Sequence, residues 1–237
     1  MSETSSRRQF LRWLSISPGA AILLAGCSSC PSGTGEDTGL GKDTGNAGPD
    51  VGPDVGPDVG GDVTNATCQP TGSDIKGPFH VAGAPQRAVI ASADEPGDRL
   101  TIEGRVVDVD CKPVADALLD VWQADDEGAY HGADQEYRLR GQIKSDAQGY
   151  YAFESIRPGH YPLGNSMRPA HIHFTVSKPG FVPLTTQLYF AGDPYLKPND
   201  PCGSSCNSGD PTLIIALNED VGQGGWQGTF DIVLRRS

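Results

Sequence analysis

The stretch Arg168-Pro169-Ala170-His171-Ile172-His173-Phe174 decides how this chain is read. From His171 onward, His171, His173 and Thr175 alternate with Ile172, Phe174 and Val176, and in a β-strand successive side chains point to opposite faces. Both imidazoles therefore share one face, while the apolar trio anchors the other. Two imidazoles at this separation reach a single cation in cis, and imidazole suits iron, copper, nickel and zinc alike. Taken alone, the pair is equally a polar strand face, so its neighbours in the sequence must decide.

Outward from this strand the pattern repeats. Alternating runs at 100–108 and 117–122 and a run at 150–156 behind the turn Ser145-Asp146-Ala147-Gln148-Gly149 read as strands, as do the runs at 171–177, 185–190 and 228–235. Proline and glycine punctuate the gaps, as at Pro158-Gly159, Lys178-Pro179-Gly180 and Gly192-Asp193-Pro194. No stretch carries a sustained helical period with caps. The expectation for residues 68–237 is an all-β, antiparallel β-sandwich with long loops, preceded by a disordered tether.

The first 67 residues do not belong to that sandwich. Ser6-Arg7-Arg8-Gln9-Phe10-Leu11 is a twin-arginine pattern, the apolar run at 20–24 is too short to span a bilayer, and Leu24-Ala25-Gly26-Cys27 is similar to a lipobox. Residues 1–26 are expected to be a twin-arginine lipoprotein signal peptide and Cys27 the lipidated first residue of an exported protein, membrane-anchored only through its lipid and facing the periplasm or the cell exterior. Residues 27–67 form the linker. Within them the segment 48–63 repeats Gly-Pro-Asp-Val, with Gly61 replacing proline in the last copy, and prolines so spaced favour an extended chain. Its aspartates repel one another, so much of the formal charge of −12 is solvated spacer. No Lys/Arg cluster outside the leader could track a phosphate backbone, which argues against nucleic acid as a partner. Of the six cysteines, Cys202 and Cys206 are expected to form one disulfide and Cys68 and Cys111 a second, with Cys30 left in the tether.

Part of the pattern is common to many sandwiches. The run from Ser145 to Phe153, followed by Ile156-Arg157-Pro158-Gly159-His160-Tyr161, resembles the turn, strand and Pro-Gly-x-Tyr loop of transthyretin-like modules, where the tyrosine is structural. Tyr130 lies in a loop just beyond a strand, Val121-Trp122-Gln123-Ala124-Asp125-Asp126-Glu127-Gly128-Ala129-Tyr130, and spacing alone does not distinguish a surface aromatic from a ligand.

Taken together and in order, Trp122-Gln123-Ala124, Gly128-Ala129-Tyr130, Arg157-Pro158-Gly159-His160-Tyr161-Pro162, Arg168 to His173, and Gln187-Leu188-Tyr189-Phe190-Ala191-Gly192-Asp193-Pro194 resemble the intradiol ring-cleavage dioxygenases, most of all the protocatechuate 3,4-dioxygenase branch and its extracellular relatives. The resemblance runs from Gly77-Pro78-Phe79 to the closing strand at 229–234. It implies a non-haem Fe(III) held by Tyr130, Tyr161, His171 and His173, with Arg168 and Gln187 lining the substrate site. It further implies that a catechol loses its two protons, one of them to Tyr161 as that phenolate leaves the metal, while Arg168 offsets developing charge. With O2, the ring would open between the two hydroxylated carbons to a cis,cis-muconate-type diacid. Fe(III) is a hard cation that favours phenolate oxygen, and two phenolates plus one hydroxide cancel its charge. A His/His/carboxylate site for Fe(II) is the rival, but no Asp or Glu stands beside the histidine pair in a comparable pattern.

Two departures from the family pattern bear on the pocket. The segment between Tyr161 and Arg168 is shorter, and Leu163 stands where many members have an aromatic, which would reshape the mouth. Phe79 and His80 are expected near an iron, either that of their own chain or that of a neighbouring subunit. A spacer occupies the place of the helical dimerisation region found in the catechol 1,2-dioxygenase branch, and a homo-oligomer stays open. Two further readings stand beside the enzyme: a non-catalytic β-sandwich lipoprotein that binds or spaces, and a copper or zinc sandwich using His171 and His173. No basic residue is assignable to a substrate carboxylate, so protocatechuate, catechol, hydroxyquinol and lignin-derived diols all remain open.

Overall fold

The computed structural model describes residues 67–220 and 224–237. The expected signal peptide, Cys27, Cys30 and the tether up to residue 66 lie outside the described residues. Twelve strands follow in order: β1 (Arg99–Asp108), β2 (Leu118–Gln123), β3 (Arg140–Lys144), β4 (Tyr150–Ile156), β5 (Tyr161–Leu163), β6 (Ser166–Arg168), β7 (His171–Ser177), β8 (Leu184–Phe190), β9 (Ile214–Ile215), β10 (Asn218–Glu219), β11 (Trp226–Thr229) and β12 (Ile232–Leu234). The helical content of the described residues is confined to three-residue 3₁₀ turns, and none of their helices is long and apolar enough to cross a membrane.

The strands form a β-sandwich. One five-stranded sheet runs β3-β2-β7-β8-β9, and in the other β1 pairs with β4 on one edge and with β11 and β12 on its other edge. Most pairs are antiparallel, with parallel pairing where β1 meets β11 and β12 and where β8 meets β9. Strand β1 shows why the layers face each other: Leu100, Ile102, Val106 and Asp108 point inward and alternate with residues left more exposed. Opposite them, Ile172, Phe174 and Val176 of β7 are fully buried. Phe174 meets Phe153 across the sandwich at 6.0 Å and Phe230 at 5.3 Å between ring centroids. Truncating such a ring to alanine costs about 3–5 kcal/mol, because the cavity adds to the lost transfer energy.

The run expected as one strand at 228–235 is instead two, and the break has a local cause. Phe230 turns into the core, and the Asp231 carboxylate, rather than a backbone carbonyl, accepts the Arg105 N–H at 2.8 Å. Facing this break is Gly104, where a Cβ would meet the Phe230 carbonyl oxygen at 2.0 Å. Both expected disulfides form, Cys68 with Cys111 and Cys202 with Cys206.

Candidate metal centre

Strand β7 is buried on both faces. Its apolar side fills the core, and on the other side His171 and His173 are 3% and 2% exposed, covered by loops rather than by a second sheet. Register builds the floor of the site. Trp122 on β2 and Gln187 on β8 stand opposite His173, and Tyr189 stands opposite His171, so these side chains share the imidazole face. The Trp122 indole stacks on His173 at 4.8 Å with the planes 4° apart. Pro169 accepts the His171 Nδ1–H through its carbonyl at 2.6 Å, which leaves the Nε2 lone pair facing the site.

The loop after β2 brings Tyr130 over this floor. Its hydroxyl lies 3.1 Å from His171 Nε2 and 3.0 Å from His173 Nε2, so three donor atoms from distant parts of the chain converge on one point. The loop is held from both sides of Tyr130. Asp125 Oδ1 accepts the Ala129 N–H at 2.8 Å and the Glu127 N–H at 3.1 Å, and its Oδ2 lies 2.8 Å from His131 Nε2. Arg140, almost fully buried, donates from Nε and Nη2 to the His131 carbonyl at 3.0 and 2.6 Å. The Phe79 ring stacks on Tyr130 at 4.4 Å and 10°, and presents its edge to Tyr161 at 5.6 Å. Phe79 therefore belongs to the site of its own chain.

Tyr161 opens the β5–β6 hairpin, where it pairs with Arg168. The two tyrosine loops cross at glycines. Gly128, with φ +85°, passes so close to the second loop that a Cβ would meet the His160 carbonyl oxygen at 2.1 Å, and at Gly159 one would meet the Asp126 carbonyl oxygen at 2.2 Å. The Asp125 carbonyl binds both loops, accepting from Gly128 N at 3.1 Å and Gly159 N at 2.7 Å.

Ile75, Gly77, Pro78, Phe79, Leu163 and Cys202 join Tyr130, Tyr161, Arg168, His171 and His173 around a cavity of about 260 Å³. Arg168 is its single guanidinium. Asp200 grips that group, with Oδ1 3.2 Å from Nε and Oδ2 3.2 Å from Nη2, while Nη2 also reaches the Tyr189 hydroxyl at 3.0 Å and Gln187 Oε1 at 3.2 Å. Gln187 stands one layer behind the cavity: its amide donates to the Ile75 carbonyl at 2.7 Å, and it steadies Arg168 from behind. Asp74 completes the network, with Oδ2 2.8 Å from the Tyr189 hydroxyl. Asp74, Asp125, Arg140, Tyr189 and Asp200 carry no signal as site residues in the sequence reading. Only Tyr189 had a legible cue, since the period of two along β8 puts it on the face of Gln187.

The electrostatics fit a cation. Tyr130 is half-buried as a residue, but its hydroxyl end is shielded from water, and this burial pushes the phenol well above the usual tyrosine range despite the pull of Arg168. Burial, reinforced by Arg168, lowers His171 to about 4, and burial with His171 and Arg168 nearby holds His173 well below the usual imidazole range. Neutral imidazole is the ligating form, and a phenol in so dry a place ionises only against a nearby positive charge. No group of three or more His, Cys, Asp or Glu that could hold a metal ion occurs among the described residues; the donors that converge here are two imidazole nitrogens and a phenolic oxygen. This set suits a transition-metal cation.

Comparison with known proteins places these observations. The profile of the family described as Dioxygenase matches residues 75–236. The chain is 36% identical over 182 residues to a chlorocatechol 1,2-dioxygenase of Rhodococcus opacus, covering 66% of this chain and 69% of that protein. It is 42% identical over 146 residues to catechol 1,2-dioxygenase 2 of Acinetobacter lwoffii, covering 53% of each. Among solved structures, the dioxygenase domain of a dioxygenase carbohydrate-binding protein fusion from Streptomyces sp. SirexAA-E superposes with a TM-score of 0.61 at 35% identity, covering 71% of this chain and all of that one. The chain spans from about half to about two thirds of the length of the curated relatives it matches.

Proposed function

The chain belongs to the intradiol dioxygenase family, and from that premise we propose that it is a non-haem Fe(III) dioxygenase that opens a catechol-type ring between its two hydroxylated carbons with O2, yielding a cis,cis-muconate-type diacid. The observation that carries the reading is the convergence of the Tyr130 hydroxyl with both Nε2 atoms at the wall of an apolar cavity that Tyr161 and Arg168 also line. Tyr130, Tyr161, His171 and His173 would hold the metal. Ferric iron there would supply the electron exchange with the diol that lets O2 react at a ring carbon.

The remaining steps belong to the chain's own residues. Ile75, Pro78, Phe79 and Leu163 enclose the ring and exclude water, which strengthens every charge interaction inside. The Tyr161 phenolate oxygen accepts one of the two diol protons; proton transfer by a placed group is worth about 10²–10⁴-fold. Arg168, oriented by Asp200, faces the negative charge that the ring oxygens carry from the moment the deprotonated diol is bound. Tyr130 stays in place throughout.

The test is colour and oxygen uptake. Iron-loaded protein should be red-brown from tyrosinate charge transfer, the band should shift when catechol is added without oxygen, and air should then yield a muconate with one O2 consumed per ring. Colourless iron-loaded protein, with no O2 uptake on catechol, chlorocatechol, hydroxyquinol or protocatechuate, would leave the non-catalytic sandwich as the reading. The proposal extends to the leader. Residues 1–26 direct export and Cys27 carries the lipid, supported by the twin-arginine and lipobox patterns, and a Cys27→Ala chain should no longer incorporate labelled palmitate.

A further inference from the structure

One wall of the cavity comes from the segment between Asp200 and Cys206. Cys202 lines the cavity and is bridged to Cys206, four residues on and 2% exposed. A 3₁₀ turn, Gly203–Ser205, fills the small loop. The Cys202 N–H donates to Asp200 Oδ1 at 3.0 Å, and the Gly203 N–H to the Asp200 carbonyl at 3.0 Å. That same Oδ1 receives Arg168 Nε. A continuous line of contacts thus runs from the sulfur pair through one amide and one carboxylate to the guanidinium that faces the substrate cavity. Asp200 and Arg168 are each 4% exposed, so little water is at hand to take over a lost contact.

Stability explains less of this bridge than of the other. A disulfide stabilises chiefly by restricting the unfolded chain, and the effect grows with the loop it closes. Cys68–Cys111 spans 43 residues and ties the start of the described chain to the turn after β1, and neither cysteine lines the cavity. Cys202–Cys206 spans four, outside both sheets. Its effect must be local, and what lies locally is the Asp200 grip on Arg168.

We infer that the Cys202–Cys206 bridge is a positioning device for Arg168, so that opening this one disulfide loosens substrate binding while leaving the sandwich standing. The inference rests on the proposed dioxygenase reading and goes beyond it, because it makes the activity answer to thiol redox state. Reduction by a dithiol breaks the one S–S bond, leaves two thiols and turns the dithiol into its own disulfide, so electrons and protons balance.

The experiment uses the full iron-loaded chain, the double variants Cys202→Ser/Cys206→Ser and Cys68→Ser/Cys111→Ser, the single Asp200→Asn, and the triple that joins it to the first pair. Steady-state turnover of catechol, anaerobic catechol titration followed by absorbance, and thermal melting are read on each. Loss of the small bridge should raise KM and the anaerobic Kd about tenfold, the size of one charge-assisted hydrogen bond, with kcat within about threefold and the melting temperature lowered less than by loss of the long bridge. Asp200→Asn should do the same and the triple no worse, since both act on one contact. Cys68→Ser/Cys111→Ser should lower the melting temperature and leave KM alone. Should the small-bridge variant fail to fold, metal-free Cys68→Ser/Cys111→Ser protein that is treated with dithiol, freed of it without oxygen, loaded with Fe(III) and read by the same titration decides the question. Unchanged KM and Kd, or effects that simply add in the triple, overturn the inference while an active wild type keeps the dioxygenase reading. A wild type that turns over no catechol overturns both.

Discussion

Tyr130 and Tyr161 line one cavity from two loops that are held in opposite ways. Around Tyr130 every neighbour is fastened: Ala129 by Asp125, His131 by Arg140 and again by Asp125, the ring by Phe79, and the hydroxyl by two imidazoles. Tyr161 sits on a hairpin of two three-residue strands whose Pro162, Gly164, Asn165, Ser166 and Met167 are exposed, and among the described residues its hydroxyl makes no hydrogen bond. The same side chain thus appears once as a fixture and once as a group with room to move. On the proposed function, those two supports match a ligand that holds geometry and a ligand that leaves and carries a proton.

The largest effect should come from attacking the fixture. Tyr130→Phe should weaken iron binding more than about 100-fold, read by chelator competition, and lower kcat/KM beyond the roughly 100-fold that losing an outer partner costs; unchanged iron affinity would show that the clamped loop is not a ligand arm. Tyr161→Phe should keep iron bound but shift the band and lower kcat about 100-fold, as expected for a lost proton acceptor. Equal loss of iron in both variants would erase the distinction between the arms. Changes one step behind the phenols should be smaller and equally lopsided. Asp125→Ala should weaken iron binding about 10- to 100-fold, measured by chelator competition, whereas Leu163→Ala on the hairpin should leave iron affinity within about threefold, since it removes only a wall contact. Where the loops cross, Gly128→Ala puts a Cβ against the His160 carbonyl at a positive φ and should destabilise the protein by about 1–3 kcal/mol, read as denaturant midpoint.

The smallest effect is set by pH. Burial alone would raise the Asp125 carboxyl, but the Ala129 amide and His131 outweigh it and hold the group below its ordinary value of 3.8. Asp108 and Asp200 are likewise held down against burial, by the Lys112 and Asp110 amides with Arg236 and by Arg168 with the Cys202 amide respectively. A carboxyl depressed in the folded state contributes stability that is full above the unfolded value and is lost as the pH falls through the folded one. The carboxyl contribution to the melting temperature should therefore be level above about pH 4 and lost below it. It lies beneath the separate decline that sets in below about pH 6.5, where the unfolded chain protonates His171 and His173 and the folded one does not; Asp125→Asn should flatten the acid limb by its own share.

How far the site was legible follows the range of the contacts. Alternation is local, so the faces of β7, the ordered motifs and the tyrosine loops could be read directly, and with them the family. The short strands β3, β5 and β6 and the broken strand at Phe230 escaped, because three to five residues hold too few alternations, and because the break depends on Asp231 meeting Arg105 from 126 positions away. The residues that steady the site escaped for the same reason: Asp200 meets Arg168 across 32 positions, and Asp74 meets Tyr189 across 115. No period in the chain announces such pairs.

By itself, then, the order of residues determined which side chains share a strand face, which segments turn, and which donor types are present, since backbone geometry carries these from one residue to the next. Only the folded sandwich decided that Tyr130 is clamped while Tyr161 is loose, that Gln187 stands behind Arg168, and that a four-residue disulfide loop abuts the cavity. Those outcomes depend on burial and on hydrogen-bond partners brought together from opposite ends of the domain, and such partners come into existence when the two sheets close.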